Sequence, residues 1–191
     1  MKIYAIRHGQ TDYNAQGLVQ GGRCNIPLNE TGKAQALAAA ETLLGKGIGL
    51  IVTSPLIRTL QTTEIIAKHL NIGAESILVG EKLYERDFGI YEGTPIGDNK
   101  QIILASRRWT ENIPTPGGET IREVAQRIFS FLNAEIGNYK SMVKSENDCA
   151  ILFVVHGHVL RAMNWYFNGL PSADHEPHFE IQNCGIYEYF V

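Results

Sequence analysis

The sequence predicts an α/β fold: three α/β/α layers, built on a mostly parallel sheet with helices on both faces. Three observations predict it. Short β-prone apolar runs alternate along the chain with segments at helical spacing. One of those runs, AILFVV at Ala150–Val155, is apolar throughout, as a central strand covered on both faces must be. Several runs end abruptly, in Arg7-His8-Gly9, Ser54-Pro55 and His156-Gly157, just before the next helical segment.

The elements follow in order. Lys2–Ile6 alternates and is β-prone, so it reads as the first strand. Thr31–Leu44 (TGKAQALAAAETLL) is rich in alanine and leucine and reads as a helix, which Gly45, Gly47 and Gly49 then break. Leu50–Thr53 (LIVT) is a short buried strand. Ser54 and Pro55 follow as N-cap and first helical residue, opening a helix to Leu70 with Leu56, Leu60, Ile65, Ile66 and Leu70 as its apolar stripe. Ser76–Val79 is a further strand. Residues 81–118 are loop-rich, with one helix over Ile102–Trp109. Glu119–Lys144 is a long amphipathic helix that turns Ile121, Val124, Ile128, Phe131, Leu132 and Ile136 to the core. After the central strand, Val159–Phe167 is helical and Gly185–Val191 (GIYEYFV) is the last strand. No repeat or low-complexity linker intervenes, so residues 1–191 read as a single domain, with 81–118 as an elaboration over one end of the sheet.

Composition bounds the function. The chain has 191 residues, enough for one α/β domain with its own core, and 44% hydrophobic with 19% charged residues is globular rather than disordered. A net charge of -3 argues against a general nucleic-acid binder. The chain starts directly in a strand and has no long apolar run, so neither a signal peptide nor a membrane span is expected. The three cysteines, Cys24, Cys149 and Cys184, are few, scattered and odd in number, which suits a reducing cytoplasm and no disulfide framework.

Ligands of open α/β sheets bind outside the carboxyl ends of the strands. If the strands ending at Arg7, Thr53 and Val155 are neighbours, Arg7, His8, Arg58 and His156 converge there. Two guanidiniums, two imidazoles and two helix N-termini make a site for phosphate oxygens that needs no metal.

Here the chain resembles a known family, the histidine phosphatases, or phosphoglycerate-mutase-like superfamily. RHGQTDYNAQGLVQG resembles its opening signature and NIPLNETGKAQA the segment that follows. SPLIRTLQTTEII is similar to its second motif, LYERDFGIYEG to its acid-bearing motif, PGGET to the stretch before the long helix, and FVVHGHVLR to its last motif. The resemblance covers most of the chain and implies the phosphoglycerate-mutase-like fold. It also implies roles. His8 is the nucleophile that becomes phosphorylated. Arg7, Arg58 and His156, with Gly157 beside it, hold the phosphoryl oxygens. Asn14 adds a hydrogen bond, Gln20 and Gly21 lie beside the substrate, and Glu85 is proton donor and then base.

The chemistry agrees. A neutral imidazole is a competent nucleophile if its second nitrogen donates to a fixed acceptor such as the Gly9 carbonyl. His156 is expected to be protonated when it meets the phosphoryl group. The expected activity is that of a metal-independent phosphatase acting on a small phosphate monoester, with no cofactor. The partner is thus a small phosphorylated metabolite, with no nucleic acid or membrane, and the protein is a monomer or homodimer. The rival is a mutase of the same fold, primed by 2,3-bisphosphoglycerate. The short segment Glu92–Pro116 and GIYEG before Thr94-Pro95 resemble the phosphatase branch instead. A non-catalytic phospho-ligand binder would need neither His8 nor Glu85.

Other residues have bland readings too. His156 and His158 are two apart, which suggests a metal pair, yet Arg7 and Arg58 would repel a cation. His158 departs from the small residue the family pattern carries there; it lines the pocket or is exposed. His175 and His178 sit in a loop and read as surface residues. Arg107 and Arg108 bind a second anionic group or form a solvated helix face. Trp109, Tyr84 and Tyr91 wall the substrate or simply pack.

Overall fold

Side chains of the sheet point alternately into two apolar layers, and this alternation sets the architecture. The computed structural model describes residues 1–142, 150–171 and 181–191. Its strands are β1 (Lys2–Arg7), β2 (Ile48–Thr53), β3 (Ile77–Val79), β4 (Ala150–Val155) and β5 (Ile186–Phe190). Its helices are α1 (Asp12–Ala15), α2 (Glu30–Leu43), α3 (Ile57–Leu70), α4 (Lys100–Ala105), α5 (Ile121–Met142) and α6 (Gly157–Asn168). The sheet order is β3-β2-β4-β1-β5. All pairs are parallel except β1 with β5, which forms an antiparallel edge. Ile3 and Ala5 of β1 and Ile151, Phe153 and Val155 of β4 pack with α5 and α6. Tyr4, Ile6, Leu152 and Val154 pack with α2 and α3 on the other face. Every residue of β4 is buried, as its uninterrupted apolar run requires.

Register positions the site. Arg7 pairs with Val155 and Thr53 with Val154, so three strands end almost level. The next backbone groups continue the ladder, His8 N–H to the Val155 carbonyl at 3.0 Å and Ser54 N–H to the Val154 carbonyl at 3.1 Å.

Several expected boundaries move for physical reasons. Helix α3 starts at Ile57 with Leu56 as N-cap, and Ser54 and Pro55 stay outside it. Its buried face is Arg58, Thr59, Thr62, Thr63, Ile66 and Ala67, while Leu60 is exposed. Of the expected apolar stripe, Ile66 and Leu70 pack into the core, but most of the buried face is polar. Gly157 opens α6, two residues before the expected start at Val159, and α4 is shorter and earlier than Ile102–Trp109. The short α1 was absent from the sequence reading; a capping box between Thr11 and Asn14 holds it. Phe131 is only partly buried, whereas Ile121, Val124, Ile128, Leu132 and Ile136 of α5 are buried as expected. The expected end of α5 at Lys144 lies outside the described residues, as do Cys149, His175 and His178. Cys24 and Cys184 are free thiols. Among the described residues no helix is long and apolar enough to cross a membrane.

Two glycines give opposite expectations. A Cβ on Gly32, at the start of α2, would stand 2.0 Å from the Gln10 carbonyl oxygen. Gly32→Ala should therefore destabilise the fold by about 1–3 kcal/mol. Gly137, exposed within α5, has nothing within 4 Å of such a Cβ. Gly137→Ala should stabilise by about 0.5–1 kcal/mol. Urea unfolding of the two variants checks both signs.

Candidate active site

The level strand ends deliver their side chains to one place. His8 follows β1 and is 3% exposed. Its Nδ1–H donates to the Gly9 carbonyl at 2.7 Å, the acceptor that the chemistry asks for. Nδ1 therefore carries the proton, and Nε2 keeps its lone pair. Burial, and then the Arg58 and Arg7 guanidiniums, hold the imidazole well below its ordinary pKa, so it is neutral at pH 7. Gly9 has no room for a side chain, because a Cβ there would meet the Gly32 carbonyl oxygen at 2.3 Å. The Gly9 N–H donates to Thr62 Oγ1 on α3, and Asn183 Nδ2 donates to the His8 carbonyl, both near 3 Å (3.1 and 3.0 Å). The nucleophile candidate is thus fixed from both sides.

His156 follows β4 and is the N-cap residue of α6. Its ring lies edge-on to His8, with centroids 5.2 Å apart. Arg58 Nε–H donates to its Nδ1 at 3.3 Å, so Nε2 bears the proton and donates to Ser54 Oγ at 2.7 Å. Ser54, expected as a helix cap, instead orients this ring. Burial, with Arg58 next, keeps the His156 pKa well below its usual value. In this arrangement the imidazole is neutral, because its burial and the Arg58 guanidinium outweigh the pull of the Glu85 carboxylate.

Arg58 is fully buried, and carbonyls hold it: Nη1 donates to Cys24 at 2.6 Å and Nη2 to Gly21 at 3.2 Å. Burial lowers its pKa to about 10, which leaves it charged at neutral pH. Gly21 sits behind Arg58, and its Cβ position is filled by the Glu92 carboxylate.

Glu85 comes from the loop-rich segment and is 5% exposed. Its Oε1 accepts the Arg86 N–H at 2.8 Å, and both oxygens face the His158 N–H at 3.2 and 3.3 Å in the first turn of α6. Burial of this carboxyl opposes ionisation, but His158, His156 and the Arg86 N–H outweigh it and hold the pKa well below the carboxylate range. Oε2 is the oxygen turned toward Gly157.

A cavity of about 510 Å³ opens beside these groups. Arg7, Asn14, Gln20, Glu85 and Gly157 line it, together with His158, Arg107, Arg108 and Arg161. Leu18, Val19, Phe88, Ile96, Ile103, Leu104 and Ile181 make its apolar wall. His8, Arg58, His156 and Gly21 stand behind it rather than in that lining. Arg7 Nε and Gln20 Nε2 are buried without a hydrogen-bond partner, while Gln20 Oε1 accepts from Thr11 Oγ1 and Asn14 Nδ2. Asn14 Oδ1 accepts from Thr11 N–H and Asn183 Nδ2, so its amide is anchored at both ends.

The other candidates separate. His158 is buried beside the cavity, not exposed. Arg107 and Arg108 lie past the end of α4 and border the cavity; Arg107 is half-buried there, while Arg108 is exposed and paired with Glu111. Trp109 packs edge-on against Trp165, and Tyr84 lies under Arg127, so neither walls the cavity. Tyr91 packs against the cluster of Val19, Phe88 and Ile103. The sequence marks neither Phe88, Asn183 nor Arg161 as a site residue, and Ser54 only as a helix cap. Ser54 had a signal in its place after β2, and Arg161 in its place one turn into α6; Phe88 and Asn183 had none.

Comparisons with known proteins place this chain in a family. A family model described as histidine phosphatase superfamily (branch 1) matches residues 3–189. The zebrafish (Danio rerio) fructose-2,6-bisphosphatase TIGAR B is 34% identical over 155 residues, 77% of this chain; the chain spans only 60% of that protein's length. The probable phosphoglycerate mutase GpmB of Cronobacter sakazakii is 33% identical over 190 residues, covering 97% of this chain and 83% of that protein. Among solved structures, mycobacterial glucosyl-3-phosphoglycerate phosphatase Rv2419c in complex with VO3 superposes with a TM-score of 0.83 at 29% identity, over 98% of this chain and 91% of that one.

Three buried imidazoles set a pH dependence. His8, His156 and His158 all have folded pKa values lowered from 6.5. A lowered folded pKa contributes stability that is complete above the unfolded value and is lost as pH falls through it. The melting temperature should hold between about pH 8 and 7 and fall steeply from about pH 6.5 to 5. A flat profile across that lower window, read by scanning calorimetry, would show that these rings are not buried neutral.

Proposed function

The chain belongs to the histidine phosphatase superfamily, branch 1, and from that footing we propose that it is a phosphatase that hydrolyses a small phosphate monoester through a phosphohistidine on His8. The observation that carries the reading is the Nδ1–H bond from His8 to the Gly9 carbonyl at 2.7 Å, since it leaves Nε2 as the free nucleophilic nitrogen.

The steps follow from the surrounding groups. Phosphoryl transfer is chiefly positioning and charge stabilisation, and here Arg7 and Arg58 supply the charge without a metal. Arg7 Nε and Gln20 Nε2, buried and without partners, are donors suited to phosphoryl oxygens. His8 Nε2 bonds to phosphorus as the ester P–O bond breaks, and Glu85 gives its proton to the leaving oxygen. A dianion in the site raises the pKa of Glu85, which is otherwise ionised, and likewise favours protonation of His156 at Nδ1. Water then attacks the phosphohistidine, Glu85 takes its proton, and the P–N bond breaks. The cavity's mixed wall of arginines and aliphatic side chains suits a small phosphorylated metabolite. A cytoplasmic setting goes with that substrate and with the free thiols.

A mutase primed by 2,3-bisphosphoglycerate is the second reading, favoured by the likeness to GpmB over 97% of the chain. The short segment 92–116 favours hydrolysis, because it leaves less chain to shield a phosphoenzyme from water. Phosphate release from a panel of monoesters, with chelator present, separates the two. Isomerisation of 3-phosphoglycerate in place of release would decide for the mutase.

Three outcomes are expected. His8→Ala should abolish turnover and acid-labile labelling with the fold intact; retained turnover would remove His8 as nucleophile. Glu85→Gln should slow an alkyl phosphate by about 10²–10⁴-fold and nitrophenyl phosphate far less, because an activated leaving group needs little protonation. Equal slowing of both would count against the acid role. Because His8 is neutral well below its usual pKa, the acid limb of kcat/KM should lie below about pH 6.5 rather than at it.

A further inference from the structure

His158 is a buried ionisable side chain at the site that the mechanism above leaves without work. It is the second residue of α6, is 7% exposed and lines the cavity beside Glu85. Its ring Nδ1 lies 3.6 Å from Glu85 Oε2, just beyond hydrogen-bond length. Among the described residues neither ring nitrogen has a hydrogen-bond partner, and Phe88 packs edge-on against the ring at 5.1 Å. An apolar side chain of similar size would fill this space without burying two unpaired nitrogens, so packing alone does not account for an imidazole here. The partner within reach is Oε2, the Glu85 oxygen turned toward Gly157.

We propose that Glu85 and His158 act as one proton-sharing pair: the proton taken up with the phosphate dianion is held between Oε2 and Nδ1, and His158 is the positioning residue that delivers it to Glu85. This deepens the phosphatase reading and rests on it. Glu85, Arg107 and Arg86 are the charged groups that act on the ring, Arg7 and Arg161 line the same cavity, and His156 acts on Glu85 from the N-cap. Burial and the arginines keep the ring neutral, and the Arg86 and His158 backbone N–H groups help to hold Glu85 ionised against its own burial, until an anion arrives. The dianion then favours one proton on the pair. Oε2–H gives that proton to the leaving oxygen as the P–O bond breaks and the bond to His8 Nε2 forms. In the second half, Oε2 takes a proton from water as P–N breaks and the new P–O bond forms. The pair returns that proton to solvent as phosphate departs, so one water is consumed and no proton is left over.

The test has two parts. Inorganic phosphate is titrated into the protein at pH 8 by calorimetry, in buffers of different ionisation enthalpy. Wild type should take up about one proton per phosphate, and His158→Gln less than half of that; equal uptake overturns the pair. His158→Gln should also lose about tenfold with an alkyl phosphate while keeping its rate on nitrophenyl phosphate. A ring with only a packing role would change both substrates alike, and that result overturns the proposal. Independently of any phosphate, the His158 ring is followed by NMR from pH 3.5 to 8. Its pKa, about 4 in the wild type, should drop below this range in Glu85→Gln, and an unchanged value overturns the pairing. Wild type that neither binds phosphate nor hydrolyses an ester sinks the phosphatase reading, and the NMR titration still decides whether the two side chains are coupled.

Discussion

Everything at this site depends on the parallel register of β1, β4 and β2. Because Arg7 pairs with Val155 and Thr53 with Val154, residues 102 or more positions apart in the chain, Ser54 and His156, meet within a hydrogen bond. A slip of one residue would turn every side chain of a strand to the opposite layer. It would also carry His8 away from His156. The all-apolar β4 prevents such a slip only in part, since both its faces are apolar. The stronger constraint is the pair of dissimilar layers, with small alanines of α2 on one side and the large side chains of α5 and α6 on the other.

On that frame the electrostatics are built in one direction. Arg58 is buried but rests on two carbonyls and one imidazole nitrogen, none of which is a full negative charge. Arg7 donates to the Ile181 carbonyl and leaves Nε unpaired. The uncompensated positive charge depresses the histidines and supports the Glu85 carboxylate. The site thus holds its three imidazoles neutral and the Glu85 carboxyl ionised, and in the proposed reaction an arriving dianion would favour a proton on Glu85 while leaving the His8 lone pair in place.

The loop-rich segment owes its order to arginine as well. Arg86 is fully buried, with Nε on the Glu119 carbonyl at 2.8 Å and Nη1 on the Ser106 carbonyl at 2.7 Å. Arg127 of α5 pairs with the Glu119 carboxylate at 2.9 Å and reaches the Lys82 carbonyl. Glu85 is therefore carried by a loop tied to both its ends and to the start of α5. This same loop contributes Phe88, Ile103 and Arg107 to the cavity, so the residues that hold Glu85 still also shape what can reach it.

The sequence by itself determined the α/β class, the strands and long helices to within a few residues, and the gathering of Arg7, His8, Arg58 and His156, because these depend on local periodicity and on junction residues that adjoin strand ends. It also indicated the Gly9 acceptor, a contact between chain neighbours. It could not show that α3 turns threonines rather than leucines inward, that Ser54 serves His156 instead of a helix, or that His158 is buried against Glu85. Those facts were decided only by the tertiary structure, which sets what surrounds each side chain: burial made Arg58 a scaffold for His156, left three imidazoles neutral, and brought a carboxylate from residue 85 to the first turn of a helix that begins at residue 157. Hydrogen-bond partners and desolvation belong to contacts between segments far apart in the chain, and no local pattern encodes them.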